Sequence, residues 1–379
     1  EWISFLKVRG SYTEVGTSFE RFITRPTYEF NIASGKWSST SIYPMRNLKP
    51  EKTRSWEFGL NSKWLDNRLS FDLTYYKSNT INQTFTADLS ISSGYSKAYI
   101  QSGNVRNEGI EMALGYSDKW NGFAWDSHLT LSWNKNKIIK LTEGSINPMT
   151  GEPITKDNYD MGQLGNLDAR VKLYKGGSIG DVYATHRIKR DGNGNVFVSQ
   201  EGKIEIESVD EFKLGSILPK TNMGWSNNFS YKGVNLGMTL TARFGGIALS
   251  GTQSVLDQYG VSQVTANYRD TGGVPINHGY VDTEKYFDTV KGYAAYYTYS
   301  ATNVRLAELS LSYTLPKEWF RDKLRMTVGL VGKNLWMIYC KAPFDPEATA
   351  STQSNYYQSY DYFMQPTTRN LGFSVKLNF

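Results

Sequence analysis

Hydrophobic and polar residues alternate with a period of two along much of the chain. In the last ten residues, Leu371, Phe373, Val375, Leu377 and Phe379 fall on one side, and small or polar residues fall on the other. Successive side chains of a β-strand point to opposite faces, so this segment predicts a strand with one apolar and one polar face. Such a strand suits a transmembrane β-barrel, which has lipid outside and water inside.

The same alternation recurs in about ten segments, each near or above the roughly 9 to 11 residues that a tilted strand needs to cross a membrane. The apolar sets before the last one are Leu6, Val8, Tyr12; Trp56, Phe58, Leu60; Leu69, Phe71, Leu73, Tyr75; Ile110, Met112, Leu114, Tyr116; Phe123, Trp125, Leu129, Leu131, Trp133; Met223, Trp225, Phe229, Tyr231; Val234, Leu236, Met238, Leu240, Phe244; Leu309, Leu311, Tyr313, Leu315; and Leu324, Met326, Val328, Leu330. The predicted fold class is all-β, an antiparallel transmembrane β-barrel.

The predicted connections alternate between short and long. Short links lie at 66–67, 117–121, 232–233 and 316–323, and long ones at about 16–51, 84–103, 139–220, 248–301 and 339–367. Outer-membrane barrels have short periplasmic turns and long extracellular loops, so we expect the long connections on the cell surface. A soluble sandwich, propeller or adhesin also has half-buried strands, but its strands are usually shorter.

Composition argues against a helical membrane protein and against a nucleic-acid-binding protein. The chain is 39% hydrophobic and 21% charged with a mean hydropathy of -0.48, and no run approaches the roughly 18 apolar residues of a membrane helix. The net charge of +6 is spread along the chain without a basic stripe, so nucleic acid is not an expected partner. Outer-membrane lipids or lipopolysaccharide are sufficient to account for this mild basic excess.

Few residues suit catalysis or metal binding. Cys340 is the single cysteine, and the three histidines, His128, His186 and His278, are far apart. A barrel hydrolase would need a histidine beside a serine or aspartate. His128 has the same parity as Thr130 and Ser132 and should face the lumen with them, where we expect it to be an ordinary residue of the wall. We expect no enzymatic activity, cofactor or metal.

One run has the alternating oxygen ligands that open a calcium loop. It is Asp191-Gly192-Asn193-Gly194-Asn195, and the glutamate required at the twelfth position is replaced by Gly202. A tight turn explains these residue types better.

Several blocks resemble signatures of the TonB-dependent receptors. They are NLKPEKT at 47–53 followed by WEFG at 56–59, NRLSFDLTYY at 67–76, GNVRNEGIE at 103–111, the segment 219–236, VRLAELSLSYTLP at 304–316, GKNLW at 332–336 and DPE at 345–347. From about residue 45 to the end, the chain resembles the C-terminal part of a SusC-like (SusC/RagA) transporter of Bacteroidetes.

This resemblance implies an outer-membrane barrel of about 22 strands, closed by a plug. It also implies energy from the proton-motive force through TonB, ExbB and ExbD, and a SusD-like lipoprotein as a lid. Oligosaccharide is the expected substrate and oligopeptide the alternative. No signal peptide precedes Glu1, so we expect a downstream part of a longer polypeptide, with the plug and first strands in the upstream segment.

Two aromatic clusters are the candidate functional residues. They comprise Tyr286, Phe287, Tyr293, Tyr296, Tyr297 and Tyr299 in one loop, and Tyr356, Tyr357, Tyr360, Tyr362 and Phe363 in another. Such rings stack on sugars, contact a lid, or pack within the loops and the outer aromatic girdle, and the sequence leaves the three roles open.

Two further predictions concern the wall. Lys7, Arg9, Arg243, Arg325 and Lys376 alternate inward, where they bind an anionic solute or pair with carboxylates of the plug, and we favour pairing. The terminal Phe379 resembles the signal that barrel-assembly machinery reads.

Overall fold

The computed structural model describes residues 2–379 except 19–20, 22, 26, 40, 45–48, 89–94, 144–145, 148–150, 154–157, 200–202, 278, 322 and 349–357. The side chains of residues 39, 85–88, 100 and 102 also lie outside the described part of the chain.

Ten long strands form one antiparallel sheet, the wall, in which each strand pairs with its neighbours in chain order. They are β1 (Ile3–Thr17), β2 (Glu51–Trp64), β3 (Leu69–Asp88), β4 (Lys97–Trp120), β5 (Phe123–Lys140), β6 (Thr221–Tyr231), β7 (Val234–Phe244), β8 (Asn303–Thr314), β9 (Arg325–Cys340) and β10 (Asn370–Asn378). A short strand, Ile42–Tyr43, pairs in parallel with β4. Within the described residues, β1 and β10 each pair on one side only, so the wall is an open part of a barrel. The predicted fold class is confirmed.

The register aligns the predicted apolar residues into a continuous outer face. One row across β1 to β6 consists of Val8, Leu60, Leu73, Met112, Leu131 and Met223. Side chains of this outer face have no protein layer over them; for example, Phe58 is 57% exposed and Leu330 is 62% exposed. A sheet face of this kind is stable only against lipid.

Aromatic rings mark both borders of this apolar face. Near the short turns, Trp125 contacts Tyr116 and Phe229 with ring centroids 5.0 and 6.1 Å apart. Near the long connections, Tyr12 lies 4.6 Å from Trp56. Such girdles occupy the two membrane interfaces of outer-membrane barrels.

The short connections are tight turns with left-handed residues. Asn121 and Gly122 have φ of 48° and 79°, and Lys232 and Gly233 have φ of 44° and 85°, as two-residue type I′ hairpins require. Because β4 continues to Trp120, the turn expected over 117–121 contains fewer residues. The link between β8 and β9 contains a 3-10 helix, Lys317–Phe320.

The long connections contain secondary structure of their own. The connection between β1 and β2 contains a hairpin formed by Tyr28–Asn31 and Lys36–Ser39. The connection expected over 84–103 is shorter than predicted, because β3 runs to Asp88 and β4 begins at Lys97. We name the other three loop A (residues 141–220), loop B (residues 245–302) and loop C (residues 341–369).

Loop A folds as a four-stranded sheet, and loop B contains three helices. The strands of loop A are Asn158–Gln163, Arg170–Tyr174, Asp181–Ile188 and Ile206–Ser216. The helices of loop B are α1 (Gly251–Gln258), α2 (Gln263–Asp270) and α3 (Thr283–Val290), and its strands are Ile247–Ser250, Val274–Ile276, Gly279–Val281 and Thr298–Ser300. Each helix begins after a capping side chain, Ser250, Ser262 or Asp282, that accepts a hydrogen bond from a first-turn amide.

Loops A, B and C pack around one hydrophobic core, and we call this unit the loop cap. Its buried residues include Leu167 and Val182 of loop A, Leu249 and Phe287 of loop B, and Tyr360 of loop C. In addition, Tyr360–Asp361 of loop C pairs in parallel with Ile247–Ser250 of loop B. The three connections therefore form one structural unit above the wall.

Candidate functional site

The inner face of the wall is lined by polar side chains. A depression of about 440 Å³ is bordered by Arg9, Asp72, Thr74, Glu111, Thr130, Ser132 and Asn222, among others. The guanidinium of Arg9 donates two hydrogen bonds to Asp72, at 2.7 and 3.0 Å, and Asn61 donates a third at 2.8 Å. The wall therefore presents paired charges, hydroxyls and amides to the lumen.

The inward cations do not behave alike. Arg9 pairs with a carboxylate of the wall itself, Asp72. One terminal guanidinium nitrogen of Arg243 lies 3.5 Å from the Ile217 carbonyl. The Nε of Arg243 is buried and has no hydrogen-bond partner among the described residues. Lys7, Arg325 and Lys376 form no ion pair with any residue that the structure describes. For these four residues, pairing with a plug stays a prediction.

A ladder of amide side chains connects the inner face with loop A. Asn107 Oδ1 accepts hydrogen bonds from Asn136 at 2.9 Å and Asn134 at 3.4 Å. Asn136 Oδ1 in turn accepts from the Ile179 amide at 2.9 Å and the Ser178 hydroxyl at 3.1 Å. Loop A is thus held at the outer end of the lumen face of β4 and β5.

A buried charge cluster anchors loop C to β8. Arg305 donates to both carboxylate oxygens of Asp345, at 2.7 and 3.1 Å, and lies 3.2 Å from Glu347. Asn303 also donates to Glu347, at 3.2 Å. The DPE and VRL blocks were recognised in the sequence only as separate family signatures, and the structure shows that they form one contact.

The environment of Asp345 stabilises its ionised form. Burial alone would raise the pKa of this carboxyl, but hydrogen bonds from Arg305, the Glu347 amide and the Thr367 hydroxyl outweigh it and hold the pKa below its usual range. The ion pair therefore persists at neutral pH.

Another carboxylate joins loops A and B. Asp168 Oδ1 accepts from the Ala294 amide at 2.6 Å, and Oδ2 accepts from the His186 amide at 3.2 Å. The imidazole Nδ1 of His186 lies 3.1 Å from the same Oδ2. The sequence contains no spacing signal for the contact between Asp168 and Ala294, because these residues lie in different loops.

The candidate tyrosines occupy three different environments. Tyr286, Tyr297 and Tyr360 are almost completely buried in the loop cap, whereas Tyr293, Tyr296 and Tyr299 are half-buried. Tyr362 is 49% exposed and Phe363 is also exposed, while Phe287 is buried. Tyr356 and Tyr357 lie outside the described residues.

The three fully buried rings pack within the loop cap. The Tyr286 ring contacts Phe287 edge to face at 5.0 Å, and Tyr360 accepts a hydrogen bond from the Asn166 amide at 3.1 Å. Burial raises the pKa of Tyr286 to about 12 and also raises that of Tyr297. Ligand or lid contact stays a prediction for the more accessible rings, and Tyr362 is the most exposed of the described tyrosines in the two clusters.

The remaining predicted sites are Asp191, His128, His278 and Phe379. Asp191 Oδ1 accepts hydrogen bonds from the Asn193 and Asn195 amides at 2.9 and 2.8 Å, so the carboxylate closes a turn. His128 is exposed on the inner face, with Nε2 3.3 Å from Asp126. His278 lies outside the described residues. Phe379 follows β10 and is 97% exposed, and its role in assembly stays a prediction.

Among the described residues, no group of three or more His, Cys, Asp or Glu side chains is arranged to hold a metal ion. In the same part of the chain, no helix is both long enough and apolar enough to span a membrane.

An antiparallel wall with a lipid-facing apolar band, short turns at one end and long loops at the other defines the class of outer-membrane β-barrel proteins. Within this class, the chain belongs to the TonB-dependent receptors: the family model described as TonB dependent receptor-like, beta-barrel, matches residues 1–335. The localisation is the outer membrane.

The relatives agree with the family. TonB-dependent receptor P3 of Formosa agariphila is 27% identical over 349 residues, which is 88% of this chain and 34% of that protein. TonB-dependent receptor SusC of Bacteroides thetaiotaomicron is 22% identical over 325 residues, or 82% of this chain and 31% of that protein. The chain thus spans about a third of these relatives, and the resemblance to SusC-like receptors is confirmed.

Solved structures show the same fold. The closed-closed state of the RagAB peptide importer matches with a TM-score of 0.73 at 18% identity, covering 100% of this chain and 41% of the other. Its open-open state gives a TM-score of 0.71 at 18% identity, covering 100% of this chain and 40% of the other.

Proposed function

We propose that this chain is the C-terminal wall and loop cap of a TonB-dependent importer that takes up oligosaccharides across the outer membrane. In this proposal a SusD-like lipoprotein covers the cap, and an upstream plug is moved by TonB, ExbB and ExbD. The described residues supply the lumen wall, the loops and the seat of the lid. The import step requires no covalent chemistry by these residues.

The observation that carries the proposal is the polar inner face capped by one packed set of loops, in a chain of the receptor family. Hydroxyls, amides and paired charges such as Arg9 and Asp72 form and exchange hydrogen bonds with a hydrated solute. Such a lining suits passage of a large polar molecule better than tight retention of an apolar one.

The choice of oligosaccharide depends on the accessible aromatic rings of the loop cap. Tyr362 is exposed beside Phe363, with ring centroids 5.2 Å apart. Flat aromatic faces suit the apolar faces of sugar rings. Oligopeptide is the second candidate, because the matching RagAB structures are described as those of a peptide importer.

Loop B supports the proposed seat of the lid. Tyr259, Val261 and Tyr280 are 71%, 68% and 61% exposed, respectively, although they belong to an otherwise packed unit. Tyr259 and Val261 are two positions apart, and large apolar side chains exposed near one another on a folded surface are typical of a protein contact.

The test uses the whole transporter co-purified with its lipoprotein. Calorimetric titration with a panel of oligosaccharides and a panel of oligopeptides should give saturable heat with an oligosaccharide. Tyr362→Ala should weaken that binding roughly 2- to 12-fold, as expected for loss of one aromatic contact. Tyr231→Ala, at the opposite aromatic girdle, is the matched control and should bind normally.

Growth on the bound glycan as sole carbon source should require TonB. If only the peptides gave saturable heat, the proposed substrate would be an oligopeptide and not an oligosaccharide. Undiminished growth without TonB would refute active import.

A further inference from the structure

The lipid-facing side of the wall carries an unexpected group of basic residues. Parity and register place six of them outward on β2 to β5, and we call them the basic collar: Lys52, Arg54, Lys77, Arg106, Lys135 and Lys137. They lie just beyond the last apolar residues, at the end of the strands that leads into the long connections. Lys77, for example, is opposite Trp56 and two positions beyond Tyr75.

The basic collar has an excess of positive charge. Glu14 accepts hydrogen bonds from Lys52 at 2.5 Å and Arg54 at 2.9 Å, and Glu108 lies 4.0 Å from Lys135. These are the acidic side chains that the register places in the same rows. Lys77, Arg106 and Lys137 form no ion pair with a described residue.

Two of these unpaired cations face each other directly. Arg106 and Lys137 are cross-strand partners on the same face of β4 and β5. Directly opposite side chains have Cβ atoms about 5 Å apart, and like charges at this position destabilise the sheet. The Nε of Arg106 is also buried without a hydrogen-bond partner among the described residues. An anion between the two side chains would remove the repulsion and supply a hydrogen-bond acceptor for the Nε of Arg106.

Within the wall strands, the basic collar is restricted to β2 to β5; Lys341 and Arg369, which follow β9 and precede β10, lie outside the strands. At the same end of β7, β8 and β9, the outward positions are uncharged: Ala242, Phe244, Val304 and Tyr339. A general requirement for basic residues at the membrane border would place them on both halves. The asymmetry indicates a localised binding surface.

We propose that the basic collar binds the phosphate groups of a phosphorylated glycolipid in the outer leaflet, the lipid A part of lipopolysaccharide. Its acyl chains lie against the apolar face below, where Phe58, Tyr75 and Ile110 are exposed. The surface therefore combines phosphate-binding cations with an adjoining acyl-binding face, as an amphiphilic anion requires.

The test compares phosphorylated lipid A with its dephosphorylated form, added to the purified whole transporter in mild detergent and detected by native mass spectrometry. The triple variant Lys77→Gln, Arg106→Gln, Lys137→Gln removes the three unpaired cations. Each basic residue near an anionic membrane surface contributes about fivefold to binding, so the variant should bind phosphorylated lipid A at least about tenfold more weakly. Lys119→Gln, Lys232→Gln, Lys317→Gln removes three exposed cations at the short-turn end and should bind normally.

The wild-type protein gives an independent measurement. Its binding of phosphorylated lipid A should fall when ionic strength rises from about 0.1 M to about 1 M, because salt screens exposed charges. Equal binding of the two lipid forms, unchanged binding by the collar variant, or no effect of salt would each overturn the proposal.

Discussion

The anchor of loop C allows a quantitative prediction. Arg305→Met removes the guanidinium that pairs with Asp345 and Glu347, while keeping a side chain of similar length. The Arg305 and Asp345 side chains are only 10% and 9% exposed, so the variant leaves a buried carboxylate without its counter-ion. Breaking a buried pair in this way costs about 3–5 kcal/mol, and we expect a loss near the lower limit because Asn303 and Thr367 still donate hydrogen bonds to the two carboxylates.

Hydrogen exchange of the loop C backbone measures this loss directly. If the anchor limits local opening, a loss of about 3 kcal/mol corresponds to exchange faster by roughly 100-fold or more at Tyr360 and Asp361. Arg187→Met is the matched control. Arg187 makes two hydrogen bonds to Glu207, at 2.7 and 2.9 Å, but both side chains are about half exposed. Such a pair contributes about 0–1 kcal/mol, so exchange in the control should change less than about sixfold.

The pH dependence gives a second check on the same contact. Because the pKa of Asp345 is lowered in the folded protein, its pairing contributes stability above the ordinary carboxyl pKa of about 3.9 and loses it as pH falls towards the folded value. After correction for the slower intrinsic exchange of amides in acid, protection of loop C should therefore fall more in the wild type than in Arg305→Met. Equal exchange of the Arg305 and Arg187 variants at neutral pH would refute the anchoring role.

Three further predictions concern single aromatic residues. Tyr360→Ala should destabilise the loop cap by about 3–5 kcal/mol, seen as faster exchange. Tyr362→Ala should accelerate exchange much less, because this ring is half exposed, and equal effects would contradict the assigned environments. Because burial raises the pKa of Tyr286 to about 12, its stabilising contribution is complete below about pH 10 and lost as pH rises through 12. Tyr286→Phe should therefore reduce alkaline destabilisation of the cap, followed by tyrosinate absorbance. Phe379→Ala should lower the amount of transporter inserted in the outer membrane, measured by heat-modifiable gel mobility, without changing ligand preference; normal insertion would count against the assembly signal.

The wall was predictable because lipid and water impose a period of two on every strand. A one-residue shift would move a whole apolar set into the lumen, so the pattern constrains the register as well as the strand positions. Thus Leu60, Leu73 and Met112 form one row across three strands, as their parity predicts. Strand ends were less predictable, because β3 and β4 continue past the membrane with polar residues that obey no such constraint.

The loop cap was not predictable in the same way. Leu167, Leu249 and Tyr360 share one core, although they lie in three loops separated by wall strands. Their burial depends on the loops meeting in space, and no local period reports such a meeting. The family blocks contain Asp345 and Arg305 but carry no information on their pairing.

Tyr360 and Tyr362 show why sequence alone left the role of the aromatic residues open. Two positions apart on a strand, they should share one face and one environment. The short strand ends at Asp361, and Phe363 has a φ of 49°, so the chain turns at this point. Tyr362 then stacks on Tyr360, with centroids 6.2 Å apart and an interplanar angle of 15°, but is 49% exposed, whereas Tyr360 is 2% exposed. One ring therefore stabilises the cap, and the other presents its outer face to whatever approaches the loops.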